Sequence, residues 1–218
     1  DDKSIYINQF ISSVFCTTVQ DAKIELNMEA DYINGGCVRI GVTVFENRPF
    51  TIRVRIPEYY SNPSFRLDGA HISPVVENGY AVLAVSRAGE QLFELGGEVR
   101  PVFAAANKNV RADAGRVALT MGPYVYCMEE TDNGDNLACV YVDPASEATC
   151  DAPLDGLPGS LPRLSFEGTR LTRTLIKEDE LYGEPRFEKN AARLTAVPYC
   201  LWGNRANGEM LVWMKALL

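Results

Sequence analysis

The adjacent carboxylates Glu129 and Glu130 and the single histidine, His71, are the side chains of this 218-residue sequence best suited to proton transfer. Glu129 and Glu130 follow an apolar, strand-like run, and neighbours on a strand point to opposite faces. They therefore cannot flank one glycosidic bond as an acid and a nucleophile must, and they read as structural or solvated carboxylates. No serine or cysteine nucleophile motif surrounds His71, so it reads as structural. Asp132-Asn133-Gly134-Asp135-Asn136 has oxygen ligands for calcium but not the spacing of an EF-hand. Its Asn-Gly pair predicts a plain hairpin turn. Ser86-Arg87-Ala88-Gly89 lacks both the glycine spacing and the lysine of a phosphate loop. Glu178-Asp179-Glu180 reads as a solvated charge run.

Six cysteines are present: Cys16, Cys37, Cys127, Cys139, Cys150 and Cys200. Their spacings are wide and irregular, with no CxxC, and several lie in apolar runs. Free buried thiols are the expectation, with disulfides as the alternative. With one histidine, a four-ligand zinc site is not expected within this chain. Aromatic rings could stack on a sugar, and Tyr59, Tyr60, Tyr199, Trp202 and Trp213 are available. Trp213 sits in an apolar run and reads as core. Trp202 precedes a turn, Gly203 to Gly208, that carries Arg205. Tyr59, Tyr60, Trp202 and Arg205 are the candidates for carbohydrate or interdomain contact. No residue is assigned to catalysis, cofactor binding or metal binding.

The elements that would position these residues are strands. Ile24, Leu26, Met28 and Ala30 alternate with polar residues. So do Val38, Ile40, Val42 and Val44, and then Ile52, Val54 and Ile56; each set reads as a strand with one buried face. Asn34-Gly35-Gly36 and Glu46 to Pro49 read as turns, and Pro57 stops the third strand. Glu77-Asn78-Gly79 joins two short strands, and Leu92–Leu95 and Val99–Ala104 close this unit. Asn107 to Gly115 is polar and small, and reads as a boundary. Beyond it, Arg116 to Met121 alternates, whereas Tyr124 to Met128 is apolar on both faces and must be covered on both. Asp143 to Pro162 reads as irregular. Leu164–Phe166, Leu171–Ile176, Leu194–Leu201 and Met210–Met214 read as strands. Lys177 to Asn190 is charged and aperiodic, and reads as a loop. The expected fold is all-β: two antiparallel β-sandwich domains of jelly-roll or Ig-like type in tandem, residues 1–108 and 109–218.

The net charge of −8, from 29 acidic and 21 basic residues, argues against nucleic-acid binding. No apolar run approaches the ~20 residues of a membrane span. No signal peptide opens the chain. It starts inside a strand-like pattern, Ser4 to Phe10, and reads as a piece of something longer.

Arg111-Ala112-Asp113-Ala114-Gly115-Arg116-Val117-Ala118-Leu119 and Gly122-Pro123-Tyr124-Val125-Tyr126-Cys127-Met128-Glu129-Glu130 resemble glycoside hydrolase family 127, the β-L-arabinofuranosidase-like bacterial enzymes. Further similarities keep the family's order. They are Ile5 to Ile11, Tyr32 to Gly36 with Val38-Arg39-Ile40, Arg55-Ile56-Pro57, and Pro198 to Met210. Gln9 replaces a usual leucine, and Arg87-Ala88-Gly89-Glu90 lacks a tryptophan of the corresponding segment. The resemblance implies the β-sandwich portion of an enzyme whose catalytic (α/α)6 barrel carries a cysteine nucleophile, a glutamate acid/base and a zinc ion. No cysteine here matches those positions. It also implies accessory domains that support the barrel, with homodimerisation and carbohydrate as further partners and the bacterial cytoplasm as location. A module binding arabinose-containing glycans is the alternative.

Overall fold

The computed structural model describes residues 3–31, 37–153, 161–175 and 181–217. The turn at Asn34-Gly35-Gly36, the Glu178-Asp179-Glu180 run and the Tyr32 to Gly36 similarity lie outside them. The chain divides into two compact units, Asp1–Arg100 and Pro101–Leu218.

In the first unit the strands are β1 (Ser4–Ile7), β2 (Ser13–Val19), β3 (Ala22–Asp31), β4 (Cys37–Val44), β5 (Phe50–Arg55), β6 (Ser61–Leu67), β7 (Ala70–Ile72), β8 (Val75–Glu77), β9 (Tyr80–Val85) and β10 (Gly89–Glu98). They form a four-stranded sheet, β1-β5-β9-β8, and a six-stranded sheet, β2-β3-β4-β10-β6-β7. The alternation seen in the sequence sets which side chains face inward. Ile24 and Leu26 stand opposite Val44 and Val42 in one sheet, and Ile52 opposite Leu83 in the other. All of them join one buried cluster, the core of a sandwich. Each such side chain contributes about 1.5–3 kcal/mol on burial. All pairings are antiparallel except β1 with β5, which is parallel. Asn78 and Gly79, both at positive φ, make the tight turn between β8 and β9.

The second unit comprises β11 (Pro101–Ala105), β12 (Arg116–Met121), β13 (Tyr124–Glu129), the single helical turn α1 (Glu130–Asn133), β14 (Val140–Val142), β15 (Thr149–Asp151), β16 (Arg163–Leu175), β17 (Pro185–Pro198), β18 (Met210–Leu211) and β19 (Met214–Ala216). Pairing closes on itself through β12, β13, β17, β16, β14, β19 and back to β12. Val117 pairs with Ala105 on one side and Met214 on the other, and Thr120 with Val102 and Val125. β13 and β19 therefore share one edge of β12, and the ring closes through β16, with β14 and β19 running parallel. The core of this unit includes Leu119, Tyr126, Met128, Val142, Phe166 and Leu194.

Several expectations need correction. Pro101 to Ala105 does not close the first unit. It pairs antiparallel with β12, so the polar Asn107 to Gly115 stretch lies within a hairpin and the division falls at Arg100. The DNGDN segment is no hairpin, because β13 and β14 do not pair with each other and a helical turn leads into it. Leu164–Phe166 and Leu171 onward are one strand. Its partner β17 takes in the charged residues from Pro185 to Asn190 that read as loop. That end of the hairpin shows no alternation because β17 is exposed on both faces from Pro185 to Ala191.

Candidate functional site

Both faces of β13 are covered from Tyr126 onward, whereas Val125 near its start is exposed. Tyr126 and Met128 face the core, while Cys127 and Glu129, pointing the other way, are buried too. Their cover is the loop after β17, which opens with a short 3-10 turn, Tyr199–Leu201. The Gly203 N–H donates to Glu129 Oε1 at 3.1 Å. The Glu130 N–H donates to the Glu209 carbonyl at 3.0 Å, and the Glu209 N–H returns to Glu130 Oε2 at 2.7 Å. Gly208 lies so close that a Cβ there would meet the Glu130 Cβ at 2.9 Å. From α1, the Asn133 amide donates to the Glu129 and Thr195 carbonyls at 2.9 Å each, and its oxygen accepts the Thr195 N–H at 2.9 Å.

Arg205 is the centre of this arrangement. Its Nη1 donates to Asp132 Oδ1 at 2.7 Å, and its Nη2 pairs with both Glu129 and Asp132. All three side chains are largely buried. Hydrogen bonding to Asp132 and then Glu129 holds the Arg205 pKa above its already high value, against the opposing pull of burial. Burial, reinforced by the Glu129 charge, pushes the Cys127 thiol up to about 12. A thiol so raised stays protonated at neutral pH and is a poor nucleophile. Both carboxylates are committed to holding Arg205, so the cluster acts as a latch rather than an acid/base pair. What it presents outward is Tyr199 and Trp202. Their rings stack at 6.0 Å and 14°, and they are 47% and 46% exposed.

Of the four candidate contact residues, Trp202 and Arg205 thus meet in one loop, one displayed and the other holding it. Tyr59 and Tyr60 belong to the first unit. Tyr60 is 6% exposed and lies in the core. Its ring packs on Gly97, where a Cβ would fall 2.6 Å from the Tyr60 Cγ. Tyr59 is half-buried and meets Tyr60 edge to face at 5.0 Å. Tyr60 therefore offers no open platform, and Tyr59 is only partly accessible. Local pattern carries no signal for the partners of Arg205, because Glu129 and Asp132 lie more than 70 positions away. His71 is exposed beside Arg66, with 3.4 Å between their nitrogens. Cys127 is a buried thiol as expected, but Cys16, Cys150 and Cys200 are free and exposed. Among the described residues no three of His, Cys, Asp and Glu stand together to hold a metal ion. The zinc implied by the resemblance therefore finds no fit there.

Two all-β units in tandem, one of them displaying a latched aromatic pair, define a modular all-β protein. The chain belongs to glycoside hydrolase family 127. Residues 4–95 match the β-L-arabinofuranosidase GH127 middle domain, and residues 101–215 match the family 127 C-terminal domain. The chain is 34% identical over 182 residues to the non-reducing end β-L-arabinofuranosidase of Bifidobacterium longum subsp. longum, covering 74% of this chain and 25% of that relative. Among solved structures it is similar to a GH127 β-L-arabinofuranosidase from Geobacillus stearothermophilus T6. There the TM-score is 0.85 and the identity 29%, over 100% of this chain and 34% of that one. A second GH127 β-arabinofuranosidase matches with a TM-score of 0.80 and 25% identity, over 98% and 35%. The chain thus spans about a quarter to a third of the length of these relatives.

Proposed function

We propose that the two units are the non-catalytic accessory part of a β-L-arabinofuranosidase-like enzyme, supporting a catalytic barrel carried by a longer polypeptide. One observation carries this reading: the chain matches the family's middle and C-terminal domains in order, and superposes over its full length on only 34% of a solved family member. The carboxylates of the candidate site add support, since both are engaged by Arg205. On this reading zinc and the nucleophile belong to the barrel. The free thiols Cys16, Cys127, Cys139, Cys150 and Cys200 favour a reducing compartment, the bacterial cytoplasm. No helix among the described residues is long and apolar enough to cross a membrane. The test compares the longer polypeptide with a form cut off before these residues. Faster thermal inactivation of the cut form is expected, and equal half-lives with equal activity would refute a supporting role.

A second reading rests on the Tyr199–Trp202 stack, whose exposed rings offer a surface for a sugar. Titration with arabinose-containing oligosaccharides should then quench tryptophan fluorescence in the native chain but not in Trp202→Phe. An unchanged spectrum at millimolar sugar excludes it.

A further inference from the structure

The two sheets of the first unit differ in width, with six strands facing four. β1 ends the narrower sheet and β2 ends the wider one. Phe15 on β2 stands directly opposite Leu26 and so shares its inward face. Leu26 is buried, yet Phe15 is 53% exposed, because the narrower sheet stops short of it. Between the two margins lies a cleft of about 300 Å3 whose lining includes Ile5, Ile7, Phe15, Leu26, Met28 and Ile40.

β1 also keeps a row of backbone groups turned outward. The Thr51 N–H donates to the Lys3 carbonyl at 3.0 Å, and β1 runs parallel to β5. In a parallel ladder alternate residues bond to the same side. Lys3, Ile5 and Ile7 therefore turn toward β5, while Ser4 and Tyr6 turn to the edge. There no strand among the described residues pairs with them.

We propose that this margin takes an added strand. An extended segment pairs with the Ser4–Ile7 edge and lays alternate apolar side chains over Phe15, Leu26 and Met28. The occupant is a segment of the longer polypeptide lying outside this chain, so the inference rests on the accessory reading. Two observations select it. Relatives carry most of their length beyond the matched part, since the chain spans 25% of one and 34% of another. The margin itself combines an edge unpaired among the described residues with apolar lining, a combination proteins keep covered. Strand addition satisfies both the backbone row and the apolar face at once, which a sugar does not.

Residue-resolved hydrogen exchange over residues 3–19 tests this, comparing the 218-residue chain with the longer polypeptide. The Ser4 and Tyr6 amides should exchange at least ~10-fold more slowly in the longer polypeptide. Phe15→Glu should erase that difference while moving the melting temperature of the 218-residue chain by less than ~2 °C. Equal exchange at Ser4 and Tyr6 in both proteins, with protection elsewhere on the two units, overturns the added strand and leaves the accessory reading standing. No protection anywhere overturns both. Slowing that appears in the shorter chain and grows with its concentration overturns the proposal in favour of a second copy.

Discussion

Among the described residues Arg205 alone neutralises two largely buried carboxylates of the second unit. Removing it leaves Glu129 and Asp132 facing each other without a counter-ion. Arg205→Ala should cost about 3 kcal/mol in urea denaturation. Arg205→Lys should recover only part of that, since an ammonium cannot fork across two carboxylates. Cys127 gives a pH signature. Its thiol is raised to about 12 when folded, from 9.0 in its ordinary state. Below pH 9 both states keep the proton, and the thiol does not alter stability with pH. Above it the unfolded chain loses the proton first, so stability falls as pH rises toward 12. Cys127→Ala should flatten that alkaline decline. In thiol labelling at pH 8, Cys16 and Cys200 should react first, Cys150, whose thiol is pushed up by burial, more slowly, and Cys127 only after denaturation. The sequence pattern set Glu129 and Glu130 on opposite faces of a strand and read them as structural or solvated. It did not show what they hold, because the hydrogen-bond partners of both side chains come from a loop more than 70 residues on.

The strands of the first unit were legible wherever one face is buried and the other wet. Ile24 to Ala30, Val38 to Val44 and Ile52 to Val54 kept their places because a period of two has a physical cause there. That signal failed at the outer end of the β16–β17 hairpin, where neither face of β17 is buried and charge carries no period. It failed again at Asn133-Gly134, where the asparagine side chain ties β13 to β17 rather than setting a hairpin. The two ends of the long hairpin should differ accordingly. Phe166, edge to face with Phe103 at 5.4 Å, should cost about 3–5 kcal/mol on truncation to alanine. Phe187, 58% exposed on the partner strand, should cost less than ~0.5 kcal/mol. Equal losses would mean that the outer end is packed against something within this chain.

Each unit has its own buried cluster, so each should fold alone if divided at the right place. Separation after Arg100 should give two cooperative thermal transitions matching those of the intact chain. Separation after residue 108 strands β11 on the wrong piece and removes Phe103 from the Phe166 ring, so the second piece should melt well below its counterpart. The resemblance visible in the sequence correctly placed both units in family 127. It could not show the open margin of the first sandwich, since strand order and sheet width are not written in local pattern.

The claim on which the account depends is that these units hold and position, while bond cleavage belongs to another part of the polypeptide. The most direct measurement is hydrolysis of an aryl β-L-arabinofuranoside by the purified 218-residue chain and by the longer polypeptide, assayed side by side with zinc present. The account predicts turnover by the longer polypeptide and none by the shorter chain. Turnover by the 218-residue chain, abolished by substituting one of its own carboxylates or cysteines, would contradict it.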